Sequence, residues 1–226
     1  MQHDNTLPPD AVRRVIARAG TAHPFAALDA ARTALVVIDM QNGFMREDVG
    51  HAAVPYAPGI VPAINRLGAT LRQKGGGVFW VQNTSDERSR REWSVLDGMA
   101  SPERTAARTR SMSPGREGHA LWPELDIAAG DAVVPKYRFS AFIQGSSDLP
   151  ERLRAGGFDT VLIAGTATNV CCESSARDAM MLNFRTVMVS DANAAMTDAA
   201  HMAALSNFYL YFGDVLTVAE VEAGLG

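Results

Sequence analysis
Cysteine is scarce in this chain. There are two in 226 residues, and they stand side by side at positions 171 and 172. Neighbouring cysteines do not bridge easily, because a disulfide demands particular Cα and Cβ separations. That excludes a disulfide framework, and reduced thiols fit a cytosolic setting. No apolar run approaches the roughly 20 residues needed to span a bilayer. The opening "MQHDNTLPPD" is polar and holds no apolar signal-peptide core, so a cytoplasmic location is expected. Neither sign of charge dominates: the formal net charge is -4. That gives no electrostatic case for nucleic acid or an acidic membrane surface as partner. No G-x-G-x-x-G follows the first apolar run, which argues against a nucleotide-binding protein. Histidine is sparse too: His3, His23, His51, His119 and His201 are scattered, with no His/Asp group at metal-ligand spacing. No metal and no cofactor are expected.

What is present reads as an α/β protein. The chain is 47% hydrophobic and 20% charged, ordinary for a globular domain of this length. "TALVVID" (33–39) is an apolar, β-branched run of the kind that forms a fully buried parallel strand. Similar runs occur at 77–82, 131–136, 160–165, 185–191 and 214–218. Between them lie stretches with helical spacing and glycine stops, such as "PGIVPAINRLGATLRQKG" and "LPERLRAGG". Alternating strands and helices predict right-handed βαβ units, hence a Rossmann-like three-layer sandwich around a mostly parallel six-stranded sheet. Residues 1–30 read as an N-terminal extension with one helix, "PDAVRRVIARAG", outside the sheet core, and 31–226 as the domain. The polar, arginine-rich stretch 85–118 has weak periodicity; it reads as an excursion over the site or into a subunit contact.

In an open parallel sheet, ligands bind at the carboxyl ends of the strands. Asp39 closes the first strand, Lys136 the third, and the cysteine pair follows the fourth at the start of a helix. Each has a plain structural reading: a capping acid, a solvated lysine, a packing thiol. Together they have a chemical one. A helix N-terminus and a nearby cation favour the thiolate. A carboxylate can take the thiol proton and return it to a leaving amine. A lysine can stabilise developing negative charge. That set suits acyl transfer through a thioester. A non-catalytic binding module on the same fold is the competing reading, and the intact acid, amine and thiol argue against it.

The segments "ALVVIDMQNGF", "VVPKYRFSAF", "GTATNVCCESSARDA" and "VSDANAA", in that order, resemble the isochorismatase-like cysteine hydrolase superfamily. The resemblance implies a catalytic triad of Asp39, Lys136 and Cys171. It also implies a cis peptide between Thr166 and Ala167, an oxyanion hole from the N–H groups of Ala167 and Cys171, and a homo-oligomer (dimer or tetramer). In the superfamily motif the nucleophile follows Thr-Asn-Val, which is Cys171 here. Helical spacing agrees: Cys172, Ala176, Ala179 and Met180 form a small apolar stripe, whereas Cys171 aligns with Ser174, Ser175 and Asp178.

Nicotinamidases of that superfamily carry an Asp-x-His metal site after the second strand; here the region reads "WVQNTSDERSRREW", with no histidine. The motifs look closest to the ureide-cleaving branch, whose members include biuret hydrolase, triuret hydrolase and ureidoacrylate amidohydrolase. A small linear ureide is therefore the expected substrate, with biuret or triuret slightly ahead of ureidoacrylate. Such substrates are rich in N–H and C=O groups. Asn42, Gln82, Asn83 and Asn207 are the candidate amide partners, Phe44 an apolar wall, and Arg138 a clamp for a substrate carboxylate.

Overall fold
The computed structural model describes residues 1–49 and 51–226. Six strands form one sheet: β1 (Thr33–Ile38), β2 (Gly77–Asn83), β3 (Ala132–Lys136), β4 (Thr160–Thr166), β5 (Arg185–Ala194) and β6 (Asp214–Leu216). All pairings are parallel, in the order β3-β2-β1-β4-β5-β6. The direction of strand addition reverses between β1 and β4. The crevice above that point is where a doubly wound sheet takes its ligand.

The central strands are buried on both faces, which is why "TALVVI" shows no polar alternation. Ala34, Val36 and Ile38 join one apolar cluster and Leu35 and Val37 the other. The Leu35 face is covered by α3 (Ala57–Gln73) and α10 (Val218–Gly224). The opposite face is covered by α7 (Leu149–Ala155), α8 (Glu173–Met181) and α9 (Asp198–Tyr211). Among the described residues no helix is long and apolar enough to cross a membrane.

Residues 1–30 are tied firmly to the domain. In α1 (Pro9–Ala19), Ala11 and Val15 are one helical turn apart, and both join the second apolar cluster. A backbone bridge links Leu28 to Leu225. The helix thus extends the core at its margin. Residues 85–118 contain three helices that the weak periodicity concealed: α4 (Glu87–Glu92), α5 (Ser94–Gly98) and α6 (Pro102–Met112). The starts of α4 and α6 are set by caps, since Asp86 and Ser101 accept backbone N–H groups of their first turns. A last short helix, α2 (Asn42–Met45), follows β1.

Candidate active site
The end of β1 is shaped by Asp39. Its φ is 55°, in the left-handed region that a non-glycine residue adopts at a cost. The turn it makes brings its carboxylate inside: Asp39 is 0% exposed. Lys136, the last residue of β3, is also 0% exposed. Its Nζ lies 2.9 Å from Asp39 Oδ2, 3.4 Å from Cys171 Sγ and 3.1 Å from the Arg138 carbonyl oxygen. The carboxylate and ammonium form an ion pair but are not aligned as a hydrogen bond, and both Asp39 oxygens lack a hydrogen-bond partner among the described residues. An isolated charge could not persist at such depth; each of these two permits the other.

The thiol is delivered by the turn after β4. Gly165 has a φ of 116°, and a Cβ there would lie 2.1 Å from the Ile38 carbonyl oxygen, so β4 and β1 approach as closely as only glycine allows. The Thr166–Ala167 peptide is cis. Residues Thr168–Cys172 then make a wide turn, in which the Cys172 N–H reaches the Ala167 carbonyl (3.2 Å), before α8 begins at Glu173. Wide turns of this i→i+5 kind recur at functional sites. Ser175, in the first turn of α8, accepts the Ala141 N–H (3.0 Å) and fastens the loop after β3 to the thiol's helix.

The electrostatics follow from burial. Burial raises the pKa of Asp39, against the opposing pull of the Lys136 charge, so this carboxylate accepts a proton more readily than most. Burial disfavours the Lys136 ammonium, yet Asp39 and Cys171 outweigh this and hold its pKa above the usual value. Burial, then the charge of Asp39, pushes the Cys171 thiol up, with Lys136 offsetting only part. The resting site is therefore a neutral thiol beside an Asp39/Lys136 ion pair. Moving the thiol proton to Asp39 leaves a thiolate beside the ammonium, one ion pair exchanged for another.

Cys171, Ala167 and Val170 open onto a cavity of about 600 Å³. Its other walls include Phe44 and Asn83, and residues from 85–118 such as Trp93, Leu96 and Arg104. The excursion thus covers the thiol. Cys172 is turned the other way and is fully buried in the core with Ala176 and Ala179.

Two details of the helical reading need correction. Met180 is 38% exposed and is not part of the buried stripe, while Ser175 is fully buried. The wide turn is the reason, because it shifts the register between the cysteines and α8. Of the residues expected to meet substrate, Phe44 and Asn83 line the cavity. Asn42, Gln82, Arg138 and Asn207 do not. Asn42 Nδ2 donates to the Glu117 carbonyl (2.9 Å) and Gln82 Nε2 to that of His119 (2.9 Å). Arg138 donates to the Glu92 and Tyr137 carbonyls and lies over the Trp93 ring. Asn207 sits on α9. The Nδ2 of Asn42 and the Nε2 of Gln82 are thus spent on backbone carbonyls within the protein.

Sequence reading missed Gln41, which is fully buried. It donates to the carbonyls of Asn83 (3.1 Å) and His119 (2.8 Å) and accepts the Asn83 N–H (2.8 Å), lacing β1 to β2 and to residue 119. It also missed the cavity wall from 85–118, where Trp93, Leu96 and Met99 recur every third residue and were the available signal. Among the described residues no group of three or more His, Cys, Asp or Glu side chains is placed to hold a metal ion. His51, in the cavity wall, is pushed down to about 4 by burial and by Arg108 and Arg104.

With this geometry in hand, similarity to known proteins becomes informative. The isochorismatase domain family matches residues 33–220. The ureidoacrylate amidohydrolase of Methylobacterium radiotolerans is 32% identical over 214 residues, covering 88% of this chain and 82% of that protein. A cysteine hydrolase from Pseudomonas syringae pv. phaseolicola 1448A superposes with a TM-score of 0.73 at 28% identity, covering 87% of this chain and 93% of that one. The N-carbamoylsarcosine amidase of Thermoplasma acidophilum gives a TM-score of 0.65 at 30% identity, covering 83% and 96%.

Proposed function
Because the chain belongs to the isochorismatase family, we propose that it is a cysteine-dependent amidohydrolase that cleaves a non-peptide C–N bond of a ureide. The observation that carries this reading is Cys171 at the wall of a cavity, with Lys136 3.4 Å from its sulfur and Asp39 2.9 Å from that lysine. In the proposed course, Asp39 takes the thiol proton as sulfur bonds to the carbonyl carbon. The N–H groups of Ala167 and Cys171 serve as donors to the oxyanion. As the C–N bond breaks, Asp39 returns the proton to the departing nitrogen. Water, deprotonated by the same carboxylate, then releases the acyl or carbamoyl group from sulfur. The raised pKa of Asp39 suits both duties.

Two relatives named for ureido substrates, ureidoacrylate and N-carbamoylsarcosine, support placing ureidoacrylate-type compounds ahead of biuret and triuret. Product release from ureidoacrylate, biuret, triuret and nicotinamide tests the proposal, with Cys171→Ala as control. At least one ureide should be turned over at ten times the kcat/KM of nicotinamide, about 1.4 kcal/mol. Cys171→Ala should abolish that turnover. Nicotinamide as the best substrate, or activity surviving in Cys171→Ala, would refute it.

A further inference from the structure
The cavity above Cys171 is larger and more apolar than a bare linear ureide requires. At about 600 Å³ it falls in the middle of the roughly 300–1,000 Å³ range of sites that enclose drug-sized ligands. Two aromatic pairs stand in its wall. Phe44 meets His51 edge-on with ring centroids 5.2 Å apart, and Trp93 meets Phe139 edge-on at 4.8 Å. Leu96 and Met99 add aliphatic surface between α4 and α6. A small polar ureide would leave this surface wet, with most of its own N–H groups facing carbon. A ligand that also carries a ring would remove the surface from water, at roughly 25 cal/mol per Å².

The charge of the wall is one-sided. Arg108 is paired with Asp97, and Arg90 lies 3.9 Å from the same carboxylate. Arg104 also lines the cavity, is exposed, and forms no ion pair with a described residue. His51 brings no compensating or competing charge at neutral pH, being held neutral by burial and by Arg108 and Arg104. The wall therefore offers a guanidinium to an anion and aromatic surface to a ring, with the thiol at Cys171.

Resting on the proposed cysteine hydrolase chemistry, we infer that the preferred substrate is an N-carbamoyl amino acid with a large apolar side chain, its ring against the Trp93/Phe139 and Phe44/His51 pairs and its carboxylate toward Arg104. Sulfur of Cys171 bonds to the carbamoyl carbon, and the bond from that carbon to the amino-acid nitrogen breaks. Asp39 gives the thiol proton to that nitrogen, freeing the amino acid. Water then cleaves the carbamoyl thioester to carbamic acid, which falls apart to carbon dioxide and ammonia, and the thiol is restored.

N-carbamoyl-phenylalanine, N-carbamoylglycine, benzylurea and biuret as substrates test this, read by released amino acid or amine and by ammonia. N-carbamoyl-phenylalanine should exceed N-carbamoylglycine in kcat/KM by tenfold or more, and Trp93→Ala should shrink that ratio at least threefold. Arg104→Ala should lower the ratio of N-carbamoyl-phenylalanine to benzylurea about threefold to fivefold, the scale of an exposed ion pair. Equal rates on the two N-carbamoyl amino acids, or biuret as the best substrate, would overturn the inference while leaving a Cys171-dependent ureide hydrolase intact. If no ureide is hydrolysed in a Cys171-dependent way, the underlying reading fails. Calorimetric binding to Cys171→Ala then still decides the cavity: N-carbamoyl-phenylalanine bound at least tenfold tighter than N-carbamoylglycine supports the assignment, and no difference overturns it.

Discussion
A carboxylate and an ammonium facing each other at zero exposure set the terms for every residue around the thiol. At sequence level Asp39 and Lys136 look like strand-end residues that could be exchanged with loss of turnover and little loss of stability. Their burial changes that expectation. Removing one member of a buried ion pair strands the other, at about 3–5 kcal/mol. Asp39→Asn and Lys136→Met should therefore each lower unfolding free energy by that order as well as abolish activity. The double variant Asp39→Asn/Lys136→Met should recover more than half of the stability and none of the turnover. Denaturant titrations of the four proteins check this; additive losses in the double variant would mean that the pair is not coupled. The neighbouring thiol behaves differently. Cys172 is fully buried against Ala176 and Ala179, so Cys172→Ala should leave a small cavity costing about 1 kcal/mol and should keep most activity. Iodoacetamide labelling that falls on Cys172 instead of Cys171 would reverse the two assignments.

At the scale of elements, the site depends on how closely β4 passes β1. Gly165 cannot be replaced without cost: φ is 116°, and an added Cβ would meet the Ile38 carbonyl oxygen at 2.1 Å. Backbone against backbone has no flexible end to yield. Gly165→Ala should thus destabilise by more than about 2 kcal/mol, near the upper end of single substitutions, and should shift Cys171 relative to Lys136. Thermal unfolding with activity at a permissive temperature tests this; a variant with wild-type stability would show that the strands separate at no cost. The elements themselves were largely legible. Strands buried on both faces are continuous apolar runs, and helices between them carry period and stop signals, so the sheet could be read from "TALVVI" and its counterparts. The acid, amine and thiol were legible for the same reason, as reactive residues at the carboxyl ends of those runs. The helices of 85–118 were not, because they line a cavity and pack on short irregular segments such as residues 43 and 49, and so leave no strong periodic stripe. Nor were the partners of Asn42 and Gln82, whose hydrogen bonds go to carbonyls at positions 117 and 119, fixed only by the fold.

Across the whole molecule, the N-terminal segment reaches the turn that carries Cys171 through two stacked histidines. His3 lies between Tyr56 (centroids 3.8 Å) and His201 (4.2 Å); its Nε2 accepts the Ala195 N–H (3.0 Å), so the proton on Nδ1 faces Asp198 (2.6 Å). His201 donates from Nε2 to Asn5 Oδ1 (3.1 Å) and accepts at Nδ1 from the hydroxyl of Thr168 (2.8 Å), three residues before Cys171. Residues 3–5, Ala195 just after β5, α9 and the wide turn are thereby joined in one network, buried at His3, Thr168 and His201, that works with His201 neutral. Burial, then His3, holds the pKa of His201 down to about 3. The ordinary value is 6.5, so between these limits the unfolded chain binds a proton that the folded chain refuses. Stability from this residue is thus fully present above pH 6.5 and is lost progressively as pH falls toward 3. At pH 4 the loss is on the order of 3 kcal/mol, or roughly 6–12 °C in Tm for a chain of this size. His51, with a pKa near 4, adds to the same acid lability. His201→Gln cannot titrate. It should unfold more easily at pH 7.5, yet the gap between its Tm at pH 7.5 and at pH 4 should be narrower than in the wild type by about that amount. Calorimetric scans of both proteins at the two pH values measure it, and an unchanged gap would mean that acid unfolds the protein through groups elsewhere.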